Sequence, residues 1–359
     1  MSWEDGKSLY LLSNNYEKYY LSKKRRNKKI CFDLKMKMNR ERDVAIDFEK
    51  GLFLFLIVIG HFWNYPDEIR FLIAPTDLIY VPVFFFLSGY LFNRGKYSFK
   101  DFLARKVKTL LLPYLSFFIL FTLLDFNLYS NLKSVLCNSA VFLLYGDGPF
   151  KAPPLWFVST LFSSSIFLYI AASIKSRINR GGVFFAYLMV FVLCDYFNVN
   201  TPFSIHRALG AAIIMYSGLL LKEISLCNIR KIYIYLLLFI CFVLMAWGIN
   251  ENIGVLNRFT KHSFLSIPSS IGSCILVTVV VKKYISKLFF FERPLIWIAQ
   301  NGIVILSCHF YIVCCASWIL KHFKMESMIS FVVQLISVFL GVYLIIPILK
   351  KCKPALWGI

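Results

Sequence analysis

Residues 328–349 read MISFVVQLISVFLGVYLIIPIL, a run of 22 residues that contains no charged side chain. A helix of about 20 apolar residues spans the hydrocarbon core of a bilayer. A spanning segment must satisfy its own backbone hydrogen bonds, so this run predicts a transmembrane helix. A series of similar apolar segments precedes this run, so the chain is predicted to cross the membrane several times.

The composition of the whole chain agrees with a lipid environment. Of its 359 residues, 58% are hydrophobic and only 16% are charged, whereas soluble proteins carry roughly a quarter charged residues. We therefore predict an all-α, polytopic membrane protein with about ten transmembrane helices. The predicted spans are 44–64, 74–92, 109–126, 154–174, 182–198, 204–221, 231–248, 263–281, 294–319 and 328–349.

The positions of the basic residues predict the orientation of these helices. Regions on the side that holds both termini carry 32 of the 40 Lys and Arg residues, and the opposite loops carry 8. Basic residues concentrate in cytoplasmic loops, so both termini are predicted to be cytoplasmic. We divide the chain into a basic cytoplasmic tail (1–42) whose composition favours partial disorder, a transmembrane domain (43–350) and a short cytoplasmic C-terminus (351–359).

The charge distribution argues against a nucleic-acid partner, and the cysteine spacing argues against a metal site or a disulfide framework. The net charge of +21 is explained by topology, so we expect no nucleic-acid partner, although basic chains can bind phosphate backbones. The ten cysteines include no CxxC pair and no Cys/His ligand spacing. Neither a metal site nor a disulfide framework is therefore predicted.

The first predicted helix carries the strongest candidate for chemistry. Ionisable residues in a spanning helix are costly and are functional candidates by default. Lys50 lies at the cytoplasmic end of this helix, and His61 follows roughly 16 Å further along the axis. A neutral imidazole can accept a proton from a hydroxyl group, as a general base does. The alternative is a histidine that only forms a hydrogen bond between helices.

Other polar residues are weaker candidates. His309 falls in the middle of an unusually polar helix, where a site role and a helix–helix hydrogen bond fit equally well. Arg207 opens the sixth predicted helix on the outside, where its charge can reach water. Arg105 and Lys108 lie in a basic cytoplasmic loop, which could attract anionic lipid or a phosphorylated cofactor. Gly89 lies in a bulky helix and predicts close helix packing.

Taken in order, these motifs resemble the integral-membrane acyltransferase 3 family. They are most similar to its branch described as fucose 4-O-acetylase-like sugar acetyltransferases. The matching motifs are Ile46-Asp47 with Lys50-Gly51 and His61, Phe85 to Tyr90, Arg105 with Pro113-Tyr114, Pro154 to Val158, Arg207 leading to Gly218, and Asn301-Gly302 with His309.

The resemblance implies about ten helices and transfer of an acyl group, usually acetyl from acetyl-CoA, to a sugar hydroxyl. The family signature is a basic residue, ten residues and then an essential histidine, which here runs from Lys50 to His61. A basic pair in the loop after the second helix corresponds to Arg105 and Lys108. Many relatives have Arg where this chain has Lys, and Lys lacks the bidentate guanidinium fork.

The chemistry and the resemblance together suggest one mechanism. Acyl-CoA, a co-substrate rather than a bound cofactor, would place its phosphates near Lys50, Arg105 and Lys108, and His61 would act as the general base. The expected sugar-binding residues are Trp156, Arg207 and His309. The expected partners are acyl-CoA, a carbohydrate or lipid-linked glycan acceptor and the lipid bilayer, with the protein in the bacterial plasma membrane.

Three alternatives remain open at this point. A transporter or flippase for a lipid-linked sugar or small anion would also have many helices and intramembrane charges. A polysaccharide polymerase or ligase would be expected to have larger outer loops, and a scaffold would leave the costly intramembrane histidine unexplained. Only the acyltransferase would depend on acetyl-CoA.

Overall fold

The computed structural model is an all-α structure built largely from long apolar helices. It describes residues 44–63, 66–69, 79–124, 132–149, 152–197, 199–223, 236, 240, 263–283, 292–323, 325–352 and 356–358. Over these residues the helices are α1 (Val44–Gly60), α2 (Tyr80–Tyr90), α3 (Phe99–Lys106), α4 (Leu112–Leu124), α5 (Leu132–Tyr145), α6 (Trp156–Ala172), α7 (Arg177–Tyr196), α8 (Ile205–Glu223), α9 (Ser263–Lys283), α10 (Glu292–Gln300), α11 (Gly302–Phe323) and α12 (Ser327–Lys351).

Six helical segments of the described chain are long and apolar enough to cross a membrane. They are Phe99–Leu124, Pro153–Ala172, Arg177–Tyr196, Pro202–Glu223, Gly302–Phe323 and Ser327–Lys351. The prediction of a helical membrane protein with several spans is therefore confirmed. The number of ten spans and the cytoplasmic placement of both termini stay predictions. The predicted tail and nearly all of the predicted span 231–248 lie outside the described residues.

Two of the predicted segments differ from the structure. The predicted span 294–319 is not one helix, because the chain turns at Asn301 between α10 and α11. There the Asn301 side chain donates a hydrogen bond to the carbonyl of Trp297 (2.8 Å). The predicted spans leave residues 127–153 as an outer loop, but this region contains the helix α5, and the Gly- and Pro-rich stretch follows the end of that helix.

The basic segment α3 runs into α4 through a π-helical turn at Val107–Leu111. Pro113 explains the wider turn, because proline has no N–H and its ring clashes with the carbonyl four residues earlier. The N–H of Leu112 instead bonds the carbonyl of Val107, five residues back. The turn carries Lys108 and changes the register between the basic segment and the apolar helix.

Glycines allow the closest helix contacts, as predicted for Gly89. A Cβ on Gly89 would collide with the backbone carbonyl of Met215, so α2 and α8 touch through their backbones there. Gly218 makes the reciprocal approach to the carbonyl of Phe86. Gly51 of α1 meets Leu295 of α10 in the same way. These contacts hold α2 closely against α8 and α1 closely against α10.

Candidate functional site

His61 directly follows the last residue of α1, and its backbone N–H still bonds the carbonyl of Val58 (3.2 Å). The imidazole is half-buried. Its Nδ1 lies 2.8 Å from the carbonyl oxygen of Ile57, one turn back. The helix end therefore holds the ring in a fixed orientation.

His309 lies in the middle of α11 and is fully buried. Its ring is perpendicular to that of His61, with centroids 5.0 Å apart and an interplanar angle of 77°. The ring of Phe310 is also perpendicular to that of His61, with centroids 5.5 Å apart and an interplanar angle of 86°. Two histidines that are 248 positions apart in the chain thus form one pair.

Both histidines use the same nitrogen to bind the backbone. Nδ1 of His309 lies 2.9 Å from the carbonyl oxygen of Ile305, as Nδ1 of His61 does with Ile57. A carbonyl oxygen only accepts, so each Nδ1 carries the proton. In a neutral imidazole the other nitrogen then has a free lone pair. Within the described chain, Nε2 of His309 is buried without a hydrogen-bond partner.

Lys50 shares α1 with His61, and its side chain is half-buried. A spacing of eleven residues is close to three turns, so the two residues lie on the same face of the helix, roughly 16 Å apart. The uninterrupted helix Val44–Gly60 makes this separation rigid. A cation and an imidazole therefore lie about three turns apart along one helix.

The basic cluster around Lys50 contains a residue that the sequence analysis did not select. Lys106 is close enough to Lys50 and Arg105 for both positive charges to oppose its own. Arg105 is exposed, with its guanidinium 4.5 Å from the centre of the Tyr97 ring. Lys108 is exposed on the π-helical turn. Like charges repel at this range, so the cluster suits an anionic group.

Trp156 and Arg207 are brought together at a second position. The Arg207 guanidinium lies 5.6 Å from the centre of the Trp156 ring. It also forms an ion pair with Asp147, with 3.1 Å between Nη1 and Oδ1. Asp147 was not selected from the sequence, and it lies between Gly146 and Gly148 in the loop that follows α5. Its backbone carbonyl accepts a hydrogen bond from the buried Tyr114 hydroxyl (2.9 Å), which ties the loop to α4.

Helix packing relates this second position to the histidine pair. The short 3₁₀ turn Pro153–Leu155, which directly precedes Trp156, packs against α11. His309 lies on α11, and α11 also packs against α1. The residues predicted to bind a sugar therefore sit on elements that contact one another, whereas Lys50, in the basic cluster, lies about three turns from His61 along α1.

A family model described as an acyltransferase domain matches residues 43–350. No curated protein and no solved structure gives a significant match. The matched range covers the described helices from α1 to α11 and almost all of α12.

Proposed function

The chain belongs to the acyltransferase 3 family, and we propose that it moves an acetyl or similar acyl group from acyl-CoA to a hydroxyl of a cell-surface sugar or polysaccharide precursor. The family and the apolar helices make it an integral-membrane acyltransferase with a donor and an acceptor. Acyl-CoA as donor, a sugar as acceptor and the bacterial plasma membrane as location are our proposals.

The contact between His61 and His309 carries the proposal. Acyl transfer to an alcohol needs a group that removes the hydroxyl proton as the new bond forms. Because Nδ1–H of His61 donates a hydrogen bond to the carbonyl of Ile57, Nε2 has a free lone pair that can accept the hydroxyl proton. A structural histidine would need no second imidazole beside it with a buried, unpartnered nitrogen.

This geometry supports the following course of the reaction. Nε2 of His61 takes the proton of the acceptor hydroxyl while the hydroxyl oxygen attacks the thioester carbonyl. The carbon–sulfur bond breaks, and the thiolate of CoA leaves and takes the proton from the His61 imidazolium. The new ester stays on the acceptor and the imidazole is neutral again. His309 borders the reacting atoms and can accept a hydrogen bond through Nε2.

The basic cluster supports a phosphorylated donor. Lys106 lies close to both Lys50 and Arg105, and Lys108 is exposed two residues further along the same segment. Phosphate groups would relieve their mutual repulsion. The roughly 16 Å from Lys50 to His61 is a distance that the extended pantetheine arm of CoA can bridge, with the nucleotide at one end and the thioester at the other.

Trp156 and Arg207 support a carbohydrate acceptor. An aromatic face binds the apolar face of a sugar ring, and a guanidinium donates hydrogen bonds to hydroxyls. Arg207 already pairs with Asp147, so its orientation is fixed before the acceptor binds. A transporter or flippase, the competing interpretation, would require neither acetyl-CoA nor a proton acceptor.

His61→Ala tests the proposal. Membranes that contain the protein are incubated with labelled acetyl-CoA and a panel of candidate glycans, and label on the glycan is measured. Because general-base assistance is worth roughly 10²–10⁴ in rate, we expect the variant to lose at least a hundredfold of its transfer rate.

His322→Ala is the matched control. This histidine is exposed near the end of α11, and its replacement should leave the transfer rate unchanged. Near wild-type transfer by His61→Ala would remove His61 from the chemistry. Binding of the glycans without any label transfer by the wild type would instead favour the transporter.

A further inference from the structure

A cavity of about 340 Å³ lies just beyond His61, between the end of α1 and the corner where α11 passes into α12. Its walls include Trp63, Ser317, Lys321, Ser330 and Gln334. Trp63 is only two residues from His61, so their Cα atoms are at most roughly 7 Å apart. None of these lining residues was selected from the sequence.

Gln334 holds the wall of the cavity in place. Although it is fully buried, its side-chain amide bonds both backbone groups of Trp63: Nε2 donates to the carbonyl oxygen (2.8 Å) and Oε1 accepts from the N–H (2.9 Å). Nε2 also donates to the carbonyl of Ser330 (3.0 Å), and Oε1 accepts from the Ser317 hydroxyl (3.3 Å). One side chain therefore fixes the position of the backbone next to His61 relative to α11 and α12.

The remaining walls differ in chemistry. The Trp63 side chain is 59% exposed, so its indole is available to a ligand. Leu320 adds a buried apolar surface, and Ser317 and Ser330 add hydroxyl groups. Lys321 is exposed, and no described residue forms an ion pair with it. An aromatic face, hydroxyls and one cation suit a sugar that bears a negative charge.

We propose that this cavity binds the acceptor saccharide and that Lys321 selects a saccharide carrying an acidic group, either a carboxylate on the ring or a phosphate at the anomeric position. This inference rests on the proposed function. The ring of the acidic sugar unit lies against Trp63, and the acceptor continues from there past His61 toward Trp156 and Arg207, so that its reactive hydroxyl belongs to the unit beyond the cavity. The Lys321 ammonium is a compact, strongly hydrated point charge that pairs with either kind of anion.

The test measures binding, so it does not depend on acyl transfer. The purified full chain in lipid nanodiscs, without acyl-CoA, is titrated calorimetrically with matched ligands of gluco, galacto and manno configuration. Each set consists of the methyl hexoside, the methyl hexuronide and the hexose 1-phosphate. An ion pair with an exposed cation contributes only a modest free energy of binding. We therefore expect at least one acidic ligand to bind roughly threefold to tenfold tighter than its neutral counterpart.

Two variants separate the charge from the aromatic face. Lys321→Met removes the cation while retaining an unbranched side chain, and it should abolish the preference for the acidic ligand without weakening the neutral one. Trp63→Ala should weaken both ligands alike and keep the preference, since Gln334 binds only the backbone of that residue. Comparison of the affinities for the hexuronide and for the hexose 1-phosphate shows whether the carboxylate or the phosphate is preferred.

The proposal is overturned if no acidic ligand binds more tightly than its neutral counterpart, or if the preference survives in Lys321→Met. Such a result would leave the acyl-transfer proposal intact, because that proposal stands on labelled transfer and on His61→Ala. Conversely, charge-dependent binding by a protein that transfers no acetyl group would retain the cavity proposal and refute the proposed acetyl transfer.

Discussion

His309 is buried beside His61 with a nitrogen that binds no described residue. An unsatisfied buried polar atom costs free energy, and sites of function commonly retain such costs. His309→Phe keeps an aromatic ring against His61 and removes the polar atoms. We expect transfer to fall roughly 10- to 100-fold, as for the loss of a group that orients a reactive residue, while the melting temperature does not decrease.

Two measurements on the same variant decide this prediction. Initial rates with labelled acetyl-CoA report the catalytic effect, and thermal unfolding in nanodiscs reports stability. If His309→Phe transferred acetyl at the wild-type rate, the contact between His309 and His61 would contribute only to packing. A large fall in melting temperature would show that the imidazole has a structural partner.

At the residue scale, the sequence identified ionisable residues within apolar helices, because the free-energy cost of placing them in a membrane can be judged from residue type and position. His61 and His309 are ionisable groups in apolar helices, and the structure brings them together. Lys106 was missed because a run of basic residues does not show which member approaches Lys50. The π-helical turn that follows it changes the register of the segment. Gln334 was missed because its role depends on contacts with residues 271 positions away.

At the element scale, the backbone contact between α2 and α8 leads to a prediction about stability. A methyl group at Gly89 would overlap the carbonyl of Met215, and neither backbone can give way in a close-packed core. We expect Gly89→Ala to destabilise the protein by about 1–3 kcal/mol, the usual range for overpacking. Thermal unfolding of the purified protein in nanodiscs measures the effect.

Gly182→Ala provides the matched control for that substitution. Gly182 is exposed within α7, and a Cβ there would meet nothing within 4 Å. Alanine favours helix over glycine by up to about 1 kcal/mol, so this variant should be as stable as the wild type or more so. Equal stability of the two variants would mean that α2 and α8 do not touch at Gly89.

The helices themselves could be predicted because continuous apolar runs must be helical in lipid. The break at Asn301 was missed, because the apolar residues on both sides of the polar stretch Gln300-Asn301-Gly302 were assigned to one span. What separates α10 from α11 is tertiary: α10 packs on α1 where Leu295 meets Gly51. Similarly, α5 was taken for a loop because Gly146 and its neighbours dominate that stretch. The preceding residues are nevertheless apolar enough for a short helix.

At the scale of the whole molecule, the proposed reaction depends on orientation. Acyl-CoA is a cytosolic metabolite, so the cluster of Lys50, Arg105 and Lys106 must face the cytoplasm. His61 then lies toward the opposite side, together with Trp63 and the cavity. The basic-residue bias of 32 to 8 predicts this arrangement independently of any catalytic argument, because the same bias sets topology in membrane proteins generally.

Native cysteines provide the test of this orientation. Cys137 on α5 and Cys352 after α12 are both exposed, and the predicted topology places them on opposite sides of the membrane. A thiol must be in water to react as the thiolate, so a membrane-impermeant maleimide should label Cys137 in intact cells and Cys352 only after permeabilisation. Peptide mass spectrometry identifies each site, and the buried Cys308 should stay unlabelled in both samples. Labelling of Cys352 in intact cells would reverse the orientation, place the basic cluster outside and separate it from cytosolic acyl-CoA.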